Sequence, residues 1–226
     1  MNWSLVVWAA AAGVLGFAIS AVFAAGLKLS RNRFLIPYVT LAGIFLYAFS
    51  VIHHIEIGTL IKENWQWGML TGALVSVFLV KNVKSQPASR RSKGAELVFD
   101  VGWPGLVYGI TDALFLNVMP VTAVFLATSQ LPWAESVSGK AAVAVLALLA
   151  SLWVTLAYHL GYPEFRSKRV IWVLAGNSLI TLAYLVSGSP LGSILSHPVM
   201  HIAAVLQGAE TTIQLPPHYS SSLKVG

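Results

Sequence analysis

The 226-residue chain is 57% hydrophobic and 10% charged, with a formal net charge of +6 and a mean hydropathy of +0.74. Ordinary soluble domains carry about a quarter charged residues, so this composition excludes one and points to an all-α integral membrane protein. The absence of cysteine excludes disulfides, thiolate metal sites and a cysteine nucleophile.

A hydrocarbon core about 30 Å thick takes about 20 apolar residues per helix. Such runs recur at 3–27, 34–57, 66–83, 97–128, 139–160, 169–187 and 191–210. They predict a single membrane domain of seven transmembrane helices over 1–210, followed by a flexible tail at 211–226 that carries His218. The first run lacks a basic leader and is too long for a signal peptide, so it reads as a retained helix. Its Gly13 and Gly16 offer a small-residue packing face.

The second run ends in a polar cluster, Ser50, His53, His54 and Glu56. Continued as a helix, it sets Ser50 and His54 on one face, with Gly43 and Tyr47. The longest polar interval, Lys81 to Glu96, is a loop. The fourth run is too long for one straight span, since 97–128 would make a helix of about 48 Å. Pro104 and Pro120 are expected to break it, with Asp100 and Trp103 before or near the true start.

Asp112 then lies well inside the hydrocarbon, where it must be protonated, paired or hydrated. Tyr108 and Phe115 share its face, and Asn117, Asn177 and Ser178 are candidate partners. His159 closes the fifth run in a stretch read as an interfacial turn. The last run carries His197 and His201, one helical turn apart. Imidazoles at membrane depth normally face a partner, a cavity or a cofactor.

Basic residues follow alternate runs: Lys28, Arg31 and Arg33; then Lys81, Lys84, Arg90, Arg91 and Lys93; then Arg166, Lys168 and Arg169. This bias predicts an N-terminus outside and a C-terminus inside, in the plasma (inner) membrane of a prokaryote. The positive charge is accounted for by topology and anionic lipid headgroups, without nucleic acid.

In that orientation the end of the second run and the start of the last both lie toward the outer side. Ser50, His53, His54, His197 and His201 are therefore expected in one layer. Two imidazoles at i, i+4 are spaced to share a metal with a third ligand and an open position for water. Imidazole suits zinc, iron or copper. Zinc would lower the pKa of bound water toward about 7. Glu56, Glu63 or Asp112 is then a candidate carboxylate ligand or base, and Tyr47, Phe49, Trp65 and Trp67 are expected to line a substrate pocket.

Seven helices, the Ser-x-x-x-His from Ser50 to His54 and the His-x-x-x-His from His197 to His201 together resemble the CREST superfamily, which includes alkaline ceramidases and the progestin and adipoQ receptors. The resemblance implies zinc held by His54, His197 and His201, a serine (Ser50) assisting at the oxyanion, and hydrolysis of a lipid or lipid amide; His53, beside His54, is a further candidate ligand from its position alone. It also implies an aspartate near the start of the third helix. Here none stands there; Glu63 is the nearest carboxylate, and Asp112 is on the fourth run.

Other classes stay open on sequence alone. Histidines of the second and last runs are candidate axial ligands to haem in an electron-transfer protein. Asp112 in a broken helix is a candidate midplane site of a proton-coupled transporter. A subunit of a homo-oligomer or larger membrane complex is a further class. The lysines all fall in loops, termini or helix ends, which argues against a retinal Schiff base.

Overall fold

The computed structural model describes residues 2–208 and 213–216; His218 and the other expectations for 217–226 lie outside the described residues. The described residues are helical, with no strand. The long helices are α1 (Trp3–Gly26) and α2 (Arg31–Ile52), then, after a short α3 (Ile57–Lys62), α4 (Trp65–Lys84), α5 (Gly94–Thr128), α6 (Val137–Leu160), α7 (Arg169–Ser187) and α8 (Leu191–Gln207). Five of them, α1, α2, α5, α6 and α7, are long and apolar enough to cross a membrane by length and composition. Each of the seven apolar runs forms one long helix.

The long helices present apolar side chains outward and bury a set of polar groups within a largely apolar core. Val14, Ile44, Leu74, Trp172 and Val186 are exposed, whereas Ser20, Asp112, Asn117, Ser151, Asn177, Thr181, His197 and His201 are buried. That arrangement suits a hydrocarbon solvent, where polar groups find their partners in the interior.

Helix α2 stops five residues earlier than its hydropathy suggests. His54 adopts a left-handed conformation (φ 52°), the Ile55 N–H donates to Ser50 O (2.9 Å) and the His54 N–H donates to Val51 O (3.3 Å). This is a Schellman stop, and it turns His53 and His54 out of the helix. Ser50 and His54 consequently share no helical face.

Helix α5 is unbroken over its 35 residues, contrary to the expected breaks at Pro104 and Pro120. Two wide π stretches, Val101–Val107 and Ala113–Val118, flank one α-helical turn, Tyr108–Asp112. Pro104 sits within the first stretch, where i→i+5 winding accommodates the missing N–H. Such stretches recur at functional sites. The first turns, Gly94–Asp100, fully bury no residue, and Leu97 alone of them packs against the core.

Small residues bring α8 close to its neighbours. A Cβ on Gly109 of α5 would stand 2.4 Å from Pro198 Cα of α8, and one on Gly72 of α4 would stand 3.1 Å from Gly192 O. At Gly109 no Cβ fits, and at Gly72 one would crowd its neighbours, so small residues let these backbones approach closely. The α5–α8 crossing sets Asp112 beside the two histidines of α8.

Candidate metal centre

His197 and His201 lie one turn apart on α8 with their rings stacked, centroids 5.0 Å apart and planes 13° from parallel. Asp112 reaches them from the α-helical turn of α5. Its Oδ2 is 3.7 Å from His197 Nε2 and 3.5 Å from His201 Nε2. All three side chains are buried, and one ligand atom from each lies within 4.8 Å of the others. Good hydrogen bonds are shorter than about 3.2 Å. Two ligands on one tetrahedral zinc, each at about 2.0–2.2 Å, stand about 3.3–3.6 Å apart. The spacing therefore fits a shared ion better than a direct hydrogen bond.

The surrounding bonds point the same way. Both ring nitrogens of His201 are buried without a hydrogen-bond partner among the described residues, a costly arrangement unless something occupies them. His197 has its other nitrogen fixed. Its Nδ1 lies 2.9 Å from Asn117 Oδ1, while the Asn117 amide nitrogen donates to Asn177 Oδ1 (2.8 Å) and Thr181 Oγ1 (2.9 Å). The amide orientation so fixed makes Asn117 Oδ1 the acceptor and His197 Nδ1–H the donor. The Nε2 lone pair is left facing Asp112. Asn177 in turn donates to Ser151 Oγ (3.0 Å), which bonds Leu116 O (2.7 Å).

The carboxylate is anchored as well, since Tyr38 of α2 donates to Asp112 Oδ1 at 2.5 Å. Asn117, Asn177 and Ser178 were the expected partners of Asp112. The first two instead serve His197, and Ser178 Oγ donates to Leu174 O (2.8 Å). Tyr38 stacks on Tyr158 (5.1 Å), and the Tyr108 ring lies 4.7 Å from that of His201. Tyr162 donates to Tyr158 Oη (2.7 Å). These buried tyrosines form a rigid wall behind the carboxylate.

Tyr38 also fixes the depth of the site. It stands near the start of α2, so the His53–His54 turn is 15 residues further on, about 22 Å along the axis. The structure thus brings Asp112, His197 and His201 together and does not bring Ser50, His53, His54 or Glu63 to them. His54 and Glu63 are exposed, and His53 packs on Trp8 and Phe49. The centre lies toward the basic end of the bundle, in place of the expected outer layer. A haem bridged between α2 and α8 histidines has no counterpart in this arrangement.

A cavity of about 530 Å³ opens on the cluster; its lining includes Asp112, His197, His201 and His159 together with Leu79, Val173, Ile180 and Met200. His159, expected in an interfacial turn, has its Nδ1 2.8 Å from Thr155 O. Of the expected pocket aromatics, Tyr47, Trp65 and Trp67 are exposed elsewhere and Phe49 is buried in the core. Tyr38, Asn117 and His159 were not assigned to the site from sequence. Their common signal is a polar side chain within an apolar run. Comparison with protein-family models, curated proteins and solved structures finds no match to this chain.

Proposed function

We propose that this chain is a metal-dependent membrane hydrolase acting on a lipid ester or amide, with all seven long helices crossing a prokaryotic plasma membrane. The observation that carries the reading is the buried Asp112–His197–His201 group at the end of an apolar 530 Å³ cavity. Two histidines and a carboxylate suit a catalytic zinc with an open position, and the same set suits non-haem iron. Zinc is the first candidate, held by His197 Nε2, His201 and Asp112 Oδ2; when bound it supplies a Lewis acid and a readily ionised water.

The chain's own residues then have defined tasks. Tyr38 and Asn117 hold the carboxylate and His197 in register. His159 lines the cavity, and with Nδ1–H donating to Thr155 O its Nε2 is free to accept a proton from water or pass one to the leaving group. The apolar wall excludes bulk water and seats the acyl portion. Relative to the seven-helix hydrolases that the chain resembles, Asp112 takes the place implied for His54, and no serine is among the described residues that line the cavity.

A panel of lipid esters and amides, presented in detergent to zinc-loaded protein, tests this. Turnover that falls at least 100-fold in Asp112→Asn and in His201→Ala supports it. Equal turnover in those variants refutes it. A second reading, proton-coupled transport through Asp112, draws on the π stretches on either side of that residue. Proton-driven uptake by liposomes containing metal-free protein would favour that reading.

A further inference from the structure

The cavity is bounded differently at the basic end and between α4 and α7. Toward the basic end, Gln86, Ile213 and Gln214 line it. There the Gln86 amide donates to Gln214 Oε1 (3.1 Å), and the Ile213 N–H donates to Gln86 Oε1 (3.3 Å). These bonds tie the described part of the C-terminal segment across that end. Between α4 and α7 the lining is exposed instead: Phe78 is 56% and Trp172 72% accessible, and both line the cavity that reaches Asp112. Apolar side chains exposed at that height face acyl chains.

One turn from each portal aromatic, toward the basic end, stands a cation. Lys81 is three residues past Phe78 on α4, and Arg169 is three residues before Trp172 on α7, so each shares a helix face with its aromatic. Both are exposed, and neither is in an ion pair among the described residues. Two exposed aromatics that line an apolar chamber, each with a cation one turn toward the basic end, match a lipid with an anionic headgroup and an acyl chain.

We propose that an anionic lipid enters sideways from the inner leaflet between α4 and α7, with its headgroup phosphate between Lys81 and Arg169 and its acyl chain running past Phe78 and Trp172 to the Asp112–His197–His201 centre. This names the substrate class of the hydrolase reading and rests on that reading for turnover, although binding itself needs no turnover. Surface cations contribute to anionic-lipid binding individually, so removing both should weaken it about 30-fold.

The test is photolabelling of the detergent-purified full chain with diazirine-acyl phosphatidylglycerol, with diazirine-acyl phosphatidylcholine as the neutral probe, and mapping of the adducts by mass spectrometry. Phosphatidylglycerol should mark Leu79, Val173, Ile180 and Met200, and Lys81→Gln/Arg169→Gln should need about 30-fold more probe for the same yield. Excess inorganic phosphate should not compete; full competition would make the cation pair a free-phosphate site and overturn the lipid assignment. Gly176→Phe tests the chamber independently of the charges. Gly176 lines the cavity, and a Cβ there meets nothing within 4 Å, so the ring should block interior labelling and leave bound metal unchanged. Interior labelling that is equal for both lipids, or labelling confined to the outer surface, overturns the proposal. Asp112→Asn should still be labelled; if it is labelled and no variant or wild type turns over lipid, the hydrolase reading fails while the lipid site stands.

Discussion

Truncating Asn117 to alanine separates a metal centre from a merely structural polar core. The side chain is fully buried and makes three close bonds, to His197 Nδ1 (2.9 Å), Asn177 Oδ1 (2.8 Å) and Thr181 Oγ1 (2.9 Å). Hydrogen bonds inside membrane proteins average about 0.6 kcal/mol and those in water-soluble proteins about 1, so the fold should lose about 2–3 kcal/mol. The effect on the metal should be of a different kind. Without the acceptor on Nδ1, the His197 ring loses its fixed tautomer and orientation, and loss of such a partner typically costs 10–100-fold in metal affinity. Competition with a chelator gives the zinc affinity, and thermal unfolding of the metal-free protein gives the structural part. A stable Asn117→Ala protein that binds zinc within twofold of wild type would refute the role assigned to Asn117 and, with it, to His197 Nε2.

Other substitutions probe other parts of the account. Tyr38→Phe deletes the 2.5 Å bond to Asp112 Oδ1 and should weaken zinc binding about tenfold with little change of fold, read by the same chelator competition. Gly109→Val places a side chain where Pro198 Cα already stands; overpacking of about 1–3 kcal/mol should lower the Tm and separate α8 from Asp112, releasing metal. His54→Ala and Glu63→Gln, at exposed positions and outside the Asp112–His197–His201 group, should keep full metal content, and loss of zinc in either would bring that residue back into the ligand set.

The helical framework was legible because hydropathy reports which segments need a greasy solvent, and α7 at Arg169–Ser187 has the predicted limits. The end of α2 was not. Val51, Ile52, Ile55 and Ile57 continue the apolar run, and nothing in hydropathy registers the left-handed His54 that stops the helix. Asp112, His197 and His201 stood out as polar groups in apolar runs, but their mutual placement depends on the α5–α8 crossing at Gly109 and Pro198. Depth inferred from segment ends paired the α8 histidines with the wrong end of α2. Tyr38 and Asn117 were hidden for a related reason: a tyrosine or asparagine in a membrane helix has many ordinary roles, and only the fold reveals which atom it holds.

Metal analysis of purified wild type beside His197→Ala/His201→Ala, with an absorption spectrum of each, decides whether α5 and α8 hold a metal. The account predicts about one zinc per chain in wild type, none above background in the double variant, and no Soret band in either. Equal metal in both proteins, or none in a wild type that has been offered zinc, would contradict it.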